Sequence, residues 1–188
     1  MRILILGPQG SGKGTQAQRI ASAYGVPHIA TGDMFRAAVA TGSELGAQVG
    51  PILERGDLVP DDLTIDLIRE RLAEEDGFVL DGFPRTVPQA EALDTMLDEI
   101  GKPLDAVILL QVSDDVATER LRERAAKEGR ADDSPEAIAN RLRQYHELTE
   151  LVVDRYQQAG IEVIVDGEQT MDVVFAAIQD ALEGVTAG

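Results

Sequence analysis

Five short runs of strand-forming residues alternate with longer stretches in which apolar residues recur at helical spacing. The first run, residues 3–6, is apolar throughout, which is typical of a strand buried on both faces. Helical spacing is plain where Ile65, Ile68 and Leu72 share one face of a helix that Asp61 is expected to cap. The predicted strands are residues 3–6, 28–30, 77–81, 106–112 and 162–166. Because strands and helices alternate, the pattern predicts one doubly wound α/β domain, a five-stranded parallel sheet flanked by helices.

Two segments interrupt this alternation. Residues 30–59 contain two short helical stretches, 33–40 and 43–55, which we interpret as a small helical flap inserted into the α/β core. Residues 126–133 form a polar stretch without an apolar period, so they are predicted to be a loop. Ser134-Pro135 then has the form of a helix cap and first turn.

One long helix is predicted after this loop, because a single apolar stripe continues as far as Gly160. The stripe consists of Ile138, Leu142, Tyr145, Val152 and Tyr156. The chain shows no internal repeat and no linker, so we expect a single domain with two mobile pieces. The expected division is a core of residues 1–29, 60–123 and 135–188, a flap of residues 30–59, and a short lid of residues 124–134.

The composition is that of a soluble globular protein with one core: 188 residues, 44% apolar and 27% charged. A net charge of −17 argues against nucleic acid or an anionic membrane as a partner. No apolar run approaches the ~20 residues of a membrane span, and Met1-Arg2 leads straight into the first strand, leaving no room for a signal peptide. The chain has no cysteine, which excludes disulfides and thiolate metal sites and fits a cytoplasmic enzyme.

A glycine-rich loop after the first strand carries the strongest chemical signal. Gly7, Gly10, Gly12 and Gly14 allow backbone conformations closed to other residues and a close approach to a ligand. The loop leads into a helix start, where backbone N–H groups and the helix dipole favour an anion, and Lys13 adds a positive charge. The spacing Gly7-x-x-x-x-Gly12-Lys13 fits the P-loop pattern, although Gly14 replaces the usual Ser or Thr. The sequence therefore predicts that this loop binds nucleotide phosphates.

Two carboxylates are candidate magnesium ligands. Asp81 closes a buried strand at the carboxyl edge of the sheet, near the P-loop, where a carboxylate suits a hydrated Mg²⁺ that takes few protein ligands. A helix cap, or a partner for Arg85, is the alternative role of Asp81. Asp33 follows the second strand and raises two possibilities as well, a magnesium ligand or the N-cap of the flap helix.

Arginines supply most of the positive charge, since the chain has only three lysines against fourteen arginines. Phosphoryl transfer needs positioning and charge neutralisation more than covalent chemistry, and arginine makes bidentate contacts to phosphate. His28 and His146 are predicted to be structural. The arginines that could clamp two facing phosphate chains are Arg36, Arg85, Arg120, Arg124, Arg130 and Arg141.

Several segments, in order and at matching spacing, resemble the adenylate kinase family. They are GPQGSGKGTQ (7–16), TGDMFR (31–36), GDLVP (56–60), LDGFPR (80–85), RADD (130–133) and NRL (140–142). The resemblance covers essentially the whole chain, and Gly14 after the P-loop lysine is the norm in this family. It implies reversible phosphoryl transfer from ATP to AMP, giving two ADP, with Mg²⁺ as cofactor; we also expect a monomer.

The resemblance also implies roles for individual residues. The ATP site would comprise Gly10, Ser11, Gly12, Lys13, Gly14, Thr15, Arg124 and the backbone near Gln169. The AMP site would comprise Thr31, Arg36, Asp57, Leu58, Val59, Gly82, Phe83, Pro84, Arg85 and Gln89. Arg130 and Arg141 would clamp the transferring phosphoryl group. Asp33, Asp81, Asp132 and Asp133 would organise the metal through water or the closed lid.

Gln89 is the residue expected to read the acceptor base. It stands one helical turn after Arg85, and its carboxamide matches the acceptor and donor at N1 and N6 of adenine. A pyrimidine would leave the amide at least partly unpaired, so the sequence predicts a preference for AMP over CMP and UMP.

The chain departs from the family at the lid. Many bacterial members carry a lid of some thirty residues, often with four cysteines holding zinc, whereas about ten residues span 124–134 here and no structural zinc is expected. This departure leaves open whether Arg120 or Arg124 is the lid-side contact to ATP. Two other functions stay open: a UMP- or CMP-type monophosphate kinase, and a P-loop switch protein with a macromolecular partner.

Overall fold

A five-stranded, all-parallel sheet forms the centre of the protein, as the alternating pattern predicts. The structure is a computed structural model and describes residues 1–186. The strand order is β2-β3-β1-β4-β5. The strands are β1 (Arg2–Leu6), β2 (His28–Ala30), β3 (Phe78–Asp81), β4 (Ala106–Gln111) and β5 (Glu162–Asp166). The predicted fold class is therefore confirmed.

Helices cover both faces of the sheet. The α-helices are α1 (Lys13–Tyr24), α2 (Thr31–Ala40), α3 (Glu44–Glu54), α4 (Asp61–Leu72), α5 (Val87–Glu99), α6 (Asp114–Glu128), α7 (Pro135–Gln144), α8 (Glu150–Ala159) and α9 (Met171–Thr186). A short 3₁₀ helix, Ala131–Asp133, precedes α7, and a π-helical turn, Tyr145–Thr149, joins α7 to α8. Within residues 1–186, the helices are all too short or too polar to traverse a bilayer.

The central position of β1 follows from its apolar sequence, because side chains of both faces are buried. Leu4 and Leu6 pack in one apolar layer with residues of α4, α5 and α8, whereas Ile3 and Ile5 pack in the other with residues of α1 and α9. In register, Ile5 lies beside Asp81 of β3. The carboxyl ends of β1 and β3 therefore meet at one edge, where the P-loop begins.

Two aspartates expected to cap helices are placed differently. The N-cap of α4 is Pro60, and Asp61 is the first residue of the helix. The N-cap of α2 is Ala30, and Asp33 lies in the first turn. Because α2 starts directly at the end of β2, no loop separates them in which Asp33 could serve as a cap.

The polar stretch predicted as a loop from residue 126 is helical as far as Glu128. Ala126 and Glu128 are good helix formers, and Lys127 pairs with Glu123 one turn earlier. Gly129 ends the helix in the left-handed conformation, with φ of 61° and its N–H donated to Ala125 O. Polarity alone was therefore misleading, because an exposed helix needs no apolar stripe to continue.

The helix predicted to run from Pro135 to Gly160 is interrupted by the π-helical turn. The extra residue of such a turn rotates the following helix, so the predicted stripe divides: Leu142 packs against α6, whereas Val152 lies in the main core. Tyr145, where the turn begins, is only half-buried. Thr149, inside the turn, donates its hydroxyl to Arg85 O at 3.0 Å. The irregular turn thus contacts the loop that follows β3.

Candidate active site

The P-loop between β1 and α1 is packed too tightly for side chains at two of its glycines. Gly7 has φ of 139°, and a Cβ there would lie 2.5 Å from Leu110 O of β4. Gly10 has φ of 85°, and a Cβ there would lie 2.5 Å from Ala117 O of α6. These left-handed conformations and close contacts require glycine. The loop is therefore fixed against β4 and α6.

Lys13 and Ser11 give this loop the character of an anion site. The Lys13 ammonium donates to Gly7 O and Pro8 O, both at 2.7 Å, so these partners are neutral carbonyls. Burial lowers the pKa of Lys13 to about 8; Asp81 opposes this shift, whereas Arg85 and Arg124 add to it. Ser11 Oγ is buried and has no hydrogen-bond partner among the described residues. An anion at this point would satisfy both groups.

A cleft extends from the P-loop, at Gly7 and Gln9, towards the flap, at Leu58. Lys13, Arg85 and Arg141 line it from three different elements, together with Leu58 and Tyr145. The fold thus brings together the P-loop lysine and two of the six arginines predicted to clamp phosphate chains.

Arg85 is a second cation of the cleft whose charge burial disfavours. Burial lowers its pKa to about 10; Asp81 opposes the shift, whereas Arg141 and Arg36 contribute to it. Its Nε donates to Gly82 O at 2.8 Å. Since neighbouring cations disfavour the charge on Arg85, an anion in the cleft would be attracted strongly.

The residues predicted to bind AMP divide into three groups. Thr31 lies beside Gly82 and Arg85, because a Cβ on Gly82 would be 2.7 Å from Thr31 Oγ1 and 3.1 Å from Arg85 Nη2. Leu58 and Pro84 line the cleft. The side chains of three others face elsewhere: Phe83 lies in the main core, Val59 packs inside the flap, and Asp57 accepts hydrogen bonds from Arg55, Asn140 and Gln144.

Gln89 lies in the first turn of α5, whereas Arg85 precedes the N-cap Thr86, so the two are not one turn apart on a helix; the Gln89 amide is already paired within the protein. Its side chain is buried, and Oε1 accepts from Arg85 N–H at 2.8 Å. Its Nε2 donates to Asp61 Oδ1, also at 2.8 Å. No local sequence pattern indicates this contact with Asp61, because the two residues are 28 positions apart in the chain.

Two buried carboxylates hold the arginines of the lid region. Asp133 accepts two hydrogen bonds from Arg124, both at 2.7 Å, and one from Arg141 at 2.9 Å. Asp132 accepts from Arg141 at 2.6 Å and lies 3.5 Å from Arg36 of the flap. Burial would raise the pKa of Asp132, but Arg141 and Arg36 lower it overall.

Arg130 is not part of this group. Its Nε donates to Glu128 Oε2 at 2.6 Å, within the lid region itself. The structure therefore brings Arg36, Arg124 and Arg141 together around two aspartates, and directs Arg130 to a different partner.

Arg120 and Arg124 reach different places from the same face of α6. Arg120 donates to Gly167 O at 2.8 Å, in the loop that carries Gln169. Arg124 instead reaches Asp133 in the lid region. The Gln169 side chain donates to Asp166 at 2.8 Å, outside the cleft around Lys13.

Asp81 fits a hydrated metal ion better than Asp33 does. A Cβ on Gly14 would lie 3.5 Å from Asp81 Oδ2, so this carboxylate borders the P-loop, and His28 Nε2 is 3.6 Å from it. Burial would raise its pKa, but His28, Lys13 and Arg85 lower it overall, which keeps it ionised. Asp33 is paired with Arg36. Among the residues described, no group of three or more His, Cys, Asp or Glu side chains is arranged to hold a metal.

The Asp133 carboxylate should be important for stability. Asp133→Ala removes the buried partner of Arg124 and one of the two buried partners of Arg141, so the free energy of unfolding should fall by about 3 kcal/mol. The control Glu128→Ala removes only the half-exposed partner of Arg130 and should cost less than about 1 kcal/mol. Urea denaturation measures the free energy of unfolding of both variants. Equal losses would show that the buried ion pairs stabilise the fold no more than the exposed pair does.

Comparison with known proteins agrees with the geometry of the site. The sequence model of the adenylate kinase family matches residues 5–161. An adenylate kinase of Stenotrophomonas maltophilia is 48% identical over 187 residues, which cover 98% of this chain and all of that protein. An adenylate kinase of Xanthomonas euvesicatoria pv. vesicatoria is also 48% identical, over 97% of this chain and 99% of that protein. This chain belongs to the adenylate kinase family.

Proposed function

We infer that this protein is an adenylate kinase, an enzyme that transfers a phosphoryl group reversibly from ATP to AMP and forms two ADP. Membership of the family and near-complete coverage of its relatives support this activity. The observation that carries it in the structure is the convergence of Lys13, Arg85 and Arg141 on one cleft beside the P-loop. Such a cleft suits polyphosphate, whose charge those cations would neutralise during transfer.

On the donor side, we propose that residues 10–15 hold the ATP phosphates and that Lys13 is their principal cation. The neutral partners of the Lys13 ammonium and the unpaired Ser11 hydroxyl support this assignment. Arg124 would contact the ATP phosphates from the lid. The loop around Gln169, which Arg120 supports through Gly167 O, would touch the adenine ring.

On the acceptor side, we propose that Thr31, Arg36 and Arg85 bind AMP around its phosphate, since Thr31 and Arg85 lie together beside Gly82. Gln89 would bind the base. Residues 57–59 and 82–84 would complete this site. Because the Phe83 side chain is fully buried, it would contribute through its backbone.

Arg141 and Arg130 are proposed to act on the transferring group. Arg141 lines the cleft and is held by Asp132 and Asp133, so bound phosphates could replace these carboxylates as its partners. Arg130 would have to exchange its bond to Glu128 for a phosphate. Movement of a flap, residues 30–59, and a lid, residues 124–134, would exclude water from the transfer.

Magnesium is proposed to bind mainly to the substrate phosphates, with Asp81 holding one of its waters and Asp33 a secondary candidate. A single ionised carboxylate beside the P-loop fits an ion that keeps several waters. Bound there, Mg²⁺ would neutralise phosphate charge. We further propose that the protein is a monomer in the cytoplasm. The absence of cysteine fits a reducing compartment.

Lys13→Ala should lower kcat/KM for phosphoryl transfer at least a hundredfold, because one such contact to developing charge supplies roughly 3 kcal/mol. The measurement is coupled detection of ADP from ATP with AMP, CMP and UMP in turn, and AMP should be the preferred acceptor. Lys127→Ala is the control, since Lys127 is exposed and pairs with Glu123. Near-normal turnover by Lys13→Ala would refute the phosphate-binding role, and a preferred pyrimidine acceptor would refute the proposed substrate.

The affinity for ATP should decrease as the pH rises through about 8, because burial lowers the pKa of Lys13 to about 8 in the protein without ATP. From pH 7 to pH 9 the protonated fraction falls roughly tenfold, so Kd should rise by about that factor. Lys13→Arg keeps its charge over this range and should show no such rise. Titration calorimetry at pH 7, 8 and 9 makes the comparison; a flat wild-type profile would contradict the assignment.

A further inference from the structure

Asp61 joins the starts of two helices through a single oxygen atom. It is the first residue of α4, and its Oδ1 accepts from Thr86 Oγ1 at 3.0 Å and from Gln89 Nε2 at 2.8 Å. Thr86 is the N-cap of α5 and accepts in turn from Gln89 N–H. The Asp61 carboxylate thus reaches the side chain proposed to contact the acceptor base.

The Gln89 amide is held at both ends, and its partners allow only one orientation. Its Oε1 accepts from Arg85 N–H, which can only donate, whereas its Nε2 donates to the Asp61 carboxylate, which can only accept. A rotation of the amide by 180° would place oxygen against the carboxylate and NH₂ against the N–H. Because Gln89 is only 2% exposed, water could not easily replace the lost bonds.

A fixed amide can still bind a ligand, but only in one order of donor and acceptor. After its two bonds to the protein, Gln89 retains one N–H on Nε2 and one lone pair on Oε1. A 6-aminopurine presents an amino donor beside a ring-nitrogen acceptor. A 6-oxopurine of the same size presents a carbonyl acceptor beside a ring N–H donor, which is the reverse order.

We propose that Asp61 is a positioning residue for acceptor specificity: by fixing the Gln89 amide, it makes the enzyme prefer AMP to IMP. This inference rests on the proposed function, in which Gln89 contacts the acceptor base. Without Asp61, only the Arg85 N–H still favours this orientation, so the amide can rotate to match a 6-oxopurine at the cost of one hydrogen bond instead of two. AMP then loses its preorganised partner and IMP gains one.

The test compares kcat/KM for AMP and IMP in the wild type, Asp61→Ala and Asp61→Asn. In Asp61→Ala the AMP:IMP ratio should fall about tenfold, the size expected for one hydrogen bond to a charged group. The change should lie mainly in KM, because the phosphate contacts are untouched. Asp61→Asn retains an acceptor oxygen for Gln89 and should keep the ratio within about threefold of the wild type.

Asp62→Ala is the matched control. Asp62 is the next residue of the same helix, is exposed, and accepts through Oδ1 from Leu63 N–H. Asp62→Ala removes the same charge from the same helix start as Asp61→Ala does. Because the Gln89 amide is bonded to Asp61 and not to Asp62, the AMP:IMP ratio should stay unchanged. Equilibrium binding of AMP and IMP to each folded variant, verified by circular dichroism, separates specificity from a loss of stability.

A double-mutant cycle shows whether Asp61 acts through Gln89. In a Gln89→Leu background the amide is absent, so Asp61→Ala should change the AMP:IMP ratio no further. An equal change in both backgrounds, or a wild-type ratio in Asp61→Ala, would overturn the inference while the proposed function stands. If the wild type transfers phosphate to neither AMP nor IMP, the proposed function itself fails, and this inference fails with it.

Discussion

The concentration of positive charge in one cleft of a strongly acidic protein is the constraint on which the rest of this structure depends. Lys13, Arg85 and Arg141 face the same space, and burial together with their mutual repulsion lowers the pKa of Lys13 and of Arg85. The fold compensates locally, since Asp81 opposes both shifts and Asp132 and Asp133 pair with Arg141. The same carboxylates hold these cations at the cleft, where we propose that phosphate groups, with their more concentrated negative charge, bind in their place.

The sheet and two helices create this arrangement. Because β1 lies between β3 and β4, the P-loop leaves the middle of the sheet and is fixed by β4 and α6. Helix α6 supports the loop of Gln169 through Arg120 and the lid region through Arg124. Helix α7 carries Arg141 and, through Asn140, holds Asp57 of the flap. Helices α6 and α7 therefore connect the Gln169 loop, the lid region and the flap through side-chain contacts.

Local patterns predicted most of the fold, whereas contacts between distant residues escaped prediction. The P-loop, the five strands and the flap depend on short motifs and periodicity, so Gly7 to Lys13 already indicated a phosphate site. The π-helical turn at Tyr145 and the continuation of α6 to Glu128 depend on packing and on helix propensity that polarity does not reveal. The bond between Asp61 and Gln89 could not be predicted, because it joins the ends of two helices whose relative position only the fold sets.

We propose that the converging cations Lys13, Arg85 and Arg141 bind the phosphates between which transfer occurs. The most direct measurement is a crystal structure with a ligand in which two adenosines are joined through phosphates. We expect phosphate oxygens within about 3 Å of Lys13, Arg85 and Arg141, with Asp132 and Asp133 no longer the main partners of Arg141. Phosphates bound elsewhere, with Arg141 still paired to both aspartates, would contradict it.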